Sequence, residues 1–151
     1  MARHSRQIFS EPALTHRIKI KVRFSEVDAM RVVWHGEYVR YFEDGREAFG
    51  VKYGGLNYNT ITDEGYYIPI VKLELNYLMP LKCGETAIVE TRFINTNSAK
   101  IIFEYIIYRE SDMAIAATGK SLQVFTHVES GEIELSAPDF FIKWKKDLGI
   151  I

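Results

Sequence analysis

The sequence predicts an α+β domain, with one long amphipathic helix lying against a highly curved antiparallel sheet, and two stretches carry that prediction. Tyr38, Tyr41, Phe42, Gly45, Ala48, Phe49 and Lys52 recur at helical spacing, and all but Lys52 are apolar or small. Arg40, Glu43, Asp44, Arg46 and Glu47 fall on the other side, so one stripe needs a surface to cover it. From Val71 onward the pattern becomes strand-like runs joined by turns too short for parallel crossovers, which predicts an antiparallel meander. A helix followed by grouped strands is the α+β order.

Size and composition agree with a single domain over residues 1–151. The chain has 151 residues, 47% of them hydrophobic and 26% charged, a globular balance that needs no disulfide or metal to fold. A net charge of −1 argues against a nucleic-acid partner. Cys83 is the one cysteine, which excludes an internal disulfide and fits a reducing, cytoplasmic setting. No signal-peptide pattern follows Met1, and no apolar run is long enough for a membrane span.

In chain order, residues 1–15 contain Pro12, lack a period and are expected to form an arm. Ile18, Ile20, Val22 and Phe24 then alternate with Arg17, Lys19, Lys21 and Arg23, the pattern of a half-buried strand with a basic outer face. After the long helix, Gly50 and Gly54-Gly55 supply the stop. Residues 56–65 are turn-like with room for a short helix. Val71 to Tyr77, Thr86 to Ile94, Ile101 to Tyr108 and Met113 to His127 read as strands. The third is apolar on both faces and so the most buried, and the last is expected to carry a bulge at Gly119. Ser136 as cap and Pro138 in the first turn predict a closing helix over 136–148, with Phe141, Trp144 and Leu148 on one face. Arg40 and Asp44 are spaced to pair, as are Glu43 and Arg46 or Arg40. Gly45 lies in the buried stripe, which predicts a close approach of the sheet. One helix cannot cover every face and edge of such a sheet, so a homo-oligomer is expected.

The chemistry concentrates between the first strand and the helix, in Ser25-Glu26-Val27-Asp28-Ala29-Met30-Arg31-Val32-Val33-Trp34-His35-Gly36-Glu37-Tyr38. His4, His16, His35 and His127 lie far apart and no cysteine pair exists, so no metal site is expected. Neither a glycine-rich phosphate loop nor a GxSxG nucleophile elbow occurs. What remains is a carboxylate, Asp28, just ahead of a helix start. The first N–H groups of a helix lack intrahelical partners and carry the positive end of its dipole. Aimed at a carbonyl oxygen they stabilise an oxyanion, and a nearby carboxylate can activate water or attack. On spacing alone Asp28 serves equally well as a turn or cap residue. Glu26, two residues earlier, is expected on the same strand face as a minor substitute acid.

These residues resemble a known family. Asp28-Ala29, Val32-Val33-Trp34-His35-Gly36-Glu37-Tyr38, Arg40-Tyr41-Phe42-Glu43 and Arg46 look like the motif of hotdog-fold acyl-CoA thioesterases. The similarity is to the 4-hydroxybenzoyl-CoA thioesterase-like branch, which includes Tol–Pal-associated bacterial enzymes. Asn76-Tyr77, Pro80 and Gly84 are similar to that family's next strand and turn, and the strand order agrees over about residues 16–145. The resemblance implies a hotdog dimer or tetramer with active sites between subunits, an acyl-CoA substrate and no cofactor. It implies Asp28 as base or nucleophile and the backbone N–H of His35 as the group that polarises the thioester carbonyl. The His35 side chain then either acts as an acid or merely packs. Gly36, Trp34 and Tyr38 are expected around the acyl group. Arg31 departs from the family, which often has Gly there; it either points to solvent or meets an anionic group of the ligand. Two alternatives stay open: an acyl-binding hotdog module without turnover, and a hotdog hydratase or dehydratase, although no Pro lies between Thr15 and Tyr67 to mark the latter's helix start.

Overall fold

The structure, a computed structural model, describes residues 9–151; the first eight residues of the expected arm lie outside the described residues. Its elements are β1 (Leu14–Lys21), a 3-10 turn (Phe24–Glu26), α1 (Glu37–Tyr53), α2 (Tyr58–Asp63), β2 (Tyr66–Tyr67), β3 (Ile70–Tyr77), β4 (Thr86–Ile94), β5 (Lys100–Arg109), β6 (Ala114–Val124), β7 (Thr126–His127) and α3 (Asp139–Asp147). The long strands make one antiparallel sheet in the order β1-β4-β5-β6-β3. Only β4, β5 and β6 form the expected meander. β3 crosses to the far edge and pairs with β6, because the 78–85 connection is not a hairpin. Leu81 within it is fully buried, and its carbonyl takes the Val33 N–H at 2.8 Å. That connection therefore runs beside the stretch leading into α1.

α1 lies across the sheet with the anticipated stripe inward: Tyr38, Tyr41, Phe42, Gly45 and Phe49 are buried. It packs on β1 and β4, and Phe42 reaches β6 and stacks on Tyr105. Two glycines make this approach possible. A Cβ on Gly45 would sit 2.5 Å from Thr91 Oγ1 and 3.0 Å from Val89 Cγ1, the close approach expected from the sequence. A Cβ on Gly119 would be driven into the Phe42 ring. Gly119 is not a bulge: it stays in register between Leu75 and Tyr105, and the shifts fall at Ile70/Lys72 and Ile107/Tyr108. A missing side chain here makes room for a ring rather than breaking a ladder.

β1 alternates as expected, but it ends at Lys21, and Phe24 turns out to solvent at 84% exposure. Arg17 pairs with Glu90 and Lys19 with Glu110, so much of the basic outer face is matched by acids. β5 is the central strand but not, as expected, the most buried: β4 beside it, covered by α1, has no exposed residue, whereas β5 begins at the exposed Lys100. The 56–65 segment does hold a short helix, capped by Asn57 accepting the Thr60 N–H. α3 starts at Asp139 after Pro138; Ser136 is not its cap, and its N–H instead donates to Glu134. Phe141 and Trp144 are buried in the aromatic cluster with Phe93 and Phe125, whereas Leu148 follows the helix and is exposed. Arg40 pairs with Glu37 rather than Asp44, and Arg46 donates to Tyr105 Oη at 3.2 Å rather than pairing with Glu43.

Candidate active site

Between the 3-10 turn and α1 the chain makes a small hairpin. Val27 bridges Val33, the Asp28 N–H donates to the Val32 carbonyl at 2.9 Å, and the Arg31 N–H donates back to Asp28 at 2.9 Å. Four residues close a tight turn at its tip, and Arg31 takes the left-handed backbone at φ 65° to complete it. That conformation favours glycine. Asp28 Oδ1 accepts the Met30 N–H at 2.8 Å, which fixes the carboxylate against its own turn. Oδ2 takes no hydrogen bond from the described residues. Asp28 is thus a turn residue with one oxygen committed and one free.

The hairpin is anchored from below by Glu26. This side chain does not share a strand face with Asp28, because the chain has left the strand by then. It turns inward, 6% exposed, and accepts the Arg23 N–H at 2.8 Å and the Tyr41 hydroxyl at 3.2 Å. Its carbonyl takes the Trp34 N–H at 2.9 Å. Burial, and then the neighbouring Glu26 charge, push the Tyr41 phenol well above its ordinary range, so it stays a donor. Glu26 therefore ties the two arms of the hairpin to α1 and is built in as a support.

The chain then enters α1. The Glu37 N–H is taken by the Trp34 carbonyl at 2.9 Å, while the N–H groups of His35 and Gly36 donate to no group among the described residues. Trp34, 47% exposed, lays its indole over Gly36 so closely that any Cβ there would overlap the ring, and it tilts against the His35 imidazole. Tyr38 is buried one turn further on, and burial pushes its phenol up. The Tyr77 hydroxyl, from the end of β3, donates to the His35 carbonyl at 2.7 Å. The sequence named Tyr77 only as a strand residue; nothing local in a sequence pairs it with a backbone oxygen 42 residues away. Of the expected site residues, Asp28, Trp34, His35 and Gly36 share this one corner. Arg31 sits exposed at the hairpin tip, and Tyr38 is set beneath it in the core.

A separate cavity of about 1020 Å³ opens along the other flank of α1, between Glu43, Arg46 and Val51 on the helix and Tyr67, Ile70 and Phe103. Its lining does not include Asp28. Among the described residues no three acidic, histidine or cysteine side chains cluster as metal ligands, and no helix is long and apolar enough to cross a membrane.

Comparison with known proteins gives the family. Residues 22–144 match the model of the Thioesterase-like superfamily. The chain belongs to that superfamily. This thioesterase-like chain is 35% identical over 107 residues to a putative acyl-CoA thioesterase, YneP, of Bacillus subtilis, covering 70% of this chain and 77% of that protein. Two solved structures share its hotdog fold. The DHNA-CoA thioesterase of Staphylococcus aureus superposes with a TM-score of 0.78 at 23% identity, covering 90% of this chain and 89% of the other. The 4-hydroxybenzoyl-CoA thioesterase of Pseudomonas sp. strain CBS-3 does so with a TM-score of 0.75 at 15% identity, covering 86% and 98%.

Proposed function

We propose that this chain hydrolyses acyl-CoA thioesters to the free acid and CoA, with Asp28 as its acid–base or nucleophilic group. The observation that carries the reading is a half-buried carboxylate whose Oδ2, among the described residues, takes no hydrogen bond, on a hairpin tied directly to the His35 and Gly36 N–H groups at the start of α1, which have no partner among them either. As a base, Asp28 takes a proton from water while the water oxygen attacks the thioester carbon. Negative charge then collects on the former carbonyl oxygen, where the His35 and Gly36 N–H groups and the helix dipole stabilise it. Collapse of this intermediate expels the CoA thiolate, which takes up the proton. As a nucleophile, Asp28 displaces the thiolate first, and water then cleaves the resulting anhydride. Both routes use the same groups. The His35 imidazole is turned against Trp34, which supports a packing role for the side chain and a chemical one for the backbone.

The working unit is proposed to be a homodimer or a higher assembly such as a tetramer. β3 is an edge strand paired, among the described residues, only with β6, and it presents Val71, Leu73 and Tyr77 to solvent, with Leu78 exposed just past its end. A second copy covering that edge would remove a row of open backbone groups and an apolar surface together. It would also complete a site that one protomer leaves divided between the hairpin and the cavity. The free, exposed Cys83 fits a cytoplasmic enzyme.

A thiol-release assay over short, long and aromatic acyl-CoAs tests the activity. Asp28→Asn should lower kcat at least about 100-fold with the fold retained. Unchanged turnover would remove Asp28 from the chemistry. Tight binding of acyl-CoA with no free thiol would turn the protein into a binding module.

A further inference from the structure

We propose that Tyr77 is a positioning residue for one of the two oxyanion donors, the Gly36 N–H, acting through the His35–Gly36 peptide; this rests on the thioesterase reading above. A trans peptide is planar, so its C=O and the following N–H point in opposite directions. The Tyr77 hydroxyl holds the His35 oxygen at 2.7 Å, which fixes the plane and thereby the direction of the Gly36 N–H. Nothing else among the described residues holds that oxygen by a side chain. The same hydrogen bond withdraws charge from the carbonyl and makes the N–H on the far side of the peptide a stronger donor, because hydrogen bonds in a chain polarise one another.

Tyr77 is itself well braced. It pairs with Ala117 in the β3–β6 ladder, and the next two N–H groups, Leu78 and Met79, both reach the Ala116 carbonyl at 2.9 and 3.1 Å. Asn76 beside it bonds Thr118 Oγ1 at 3.3 Å. Its ring stands edge-on to Tyr38 at 5.2 Å, so strand and helix both define where the hydroxyl lies. Desolvation raises the phenol above its ordinary range, which keeps the proton it donates. The arrangement also links the edge of the sheet to the helix start. The strand whose outer side is open ends in the side chain that orients the donor peptide.

The test uses Tyr77→Phe, which removes one oxygen and leaves the ring packing on Tyr38. kcat should fall about tenfold with KM within about twofold, a smaller loss than that from deleting an oxyanion donor outright. In an Asp28→Asn background that holds an intact acyl-CoA, the infrared stretch of the bound thioester carbonyl should move back toward its solution frequency when Tyr77 becomes Phe. Replacing Tyr77 by 4-aminophenylalanine, which keeps a donor at the same place, should restore most of both. Equal kcat and an unmoved carbonyl band would overturn the proposal while leaving the thioesterase reading intact. So would a loss confined to KM or matched by unfolding in circular dichroism. A parent protein that releases no thiol from any acyl-CoA overturns both.

Discussion

The two ends of α1 are built on opposite rules. At the C-terminal end every local feature closes the structure. Gly54 takes φ 53°, the Trp144 indole N–H donates to the Gly54 carbonyl at 2.5 Å and the Tyr53 carbonyl at 3.3 Å, and Gly55 is bare where a Cβ would strike the Trp144 ring. At the N-terminal end the His35 and Gly36 N–H groups have no partner among the described residues, an indole lies half in solvent, and an acid is held out on a hairpin whose tip uses a backbone conformation costly for an arginine. Helix ends carry unsatisfied groups by geometry, and a protein normally caps them. Where one end is capped by a tryptophan from a distant helix and the other is left open, the open end is the one available to a ligand.

Removing the closure should have the largest effect. Trp144→Ala empties a buried position between Phe93 and Phe141 and frees the carbonyls of Tyr53 and Gly54. A loss of about 3–5 kcal/mol is expected from chemical denaturation. Because the damage is at the far end of the helix, kcat per folded molecule should hold. A collapse in kcat at equal folded fraction would show that the two ends are not independent.

Glu26→Ala is the matching change at the open end. It leaves the fully buried Tyr41 hydroxyl and the Arg23 N–H without their acceptor. The stability cost should be about 2 kcal/mol, smaller than for Trp144→Ala, yet kcat should fall with it, because the hairpin that presents Asp28 loses its footing. Thermal unfolding and thiol release measured on the same preparation check this. A variant that loses stability and keeps full kcat would make Glu26 a purely structural residue.

The same contrast explains what the sequence disclosed. The packed side of α1 was legible because burial imposes a period: Tyr38 through Phe49 announce themselves, and Gly45 stands out as a small residue in a large-residue stripe. Asp28 was legible only as an acid before a helix, and the family motif raised it to a site residue. Tyr77 and Glu26 were not, since their roles depend on partners brought together by a strand crossover and by a chain that leaves β1 three residues early. The crossover itself was missed because Leu81, an apolar residue in a turn-rich stretch, gives no local hint that the 78–85 connection passes under the hairpin. Ser136 misled for a related reason. It has the right type for a cap, but the helix begins only at Asp139 with Pro138 in the cap position, which leaves Ser136 two residues too early for its hydroxyl to serve the first turn.

Arg31→Gly should have the smallest effect and separates two readings of the open end. The left-handed backbone costs an L-residue about 1–2 kcal/mol, and glycine gives back about 0.5–1 kcal/mol through its freer unfolded state. The Arg31 N–H bond to Asp28 does not depend on the side chain, which is exposed and makes no ion pair among the described residues. A net gain of up to about 1 kcal/mol follows, visible as a rise of roughly 2–4 °C in Tm for a chain of this size. If Arg31 only faces solvent, KM for neutral acyl-CoAs stays put while Tm rises. If it meets an anionic part of the ligand, KM rises as well, and more at low salt than at high, because added salt screens an exposed charge pair. A fall in Tm would mean that the arginine side chain holds the turn, and the strain attributed to φ 65° would then be offset by contacts of its own.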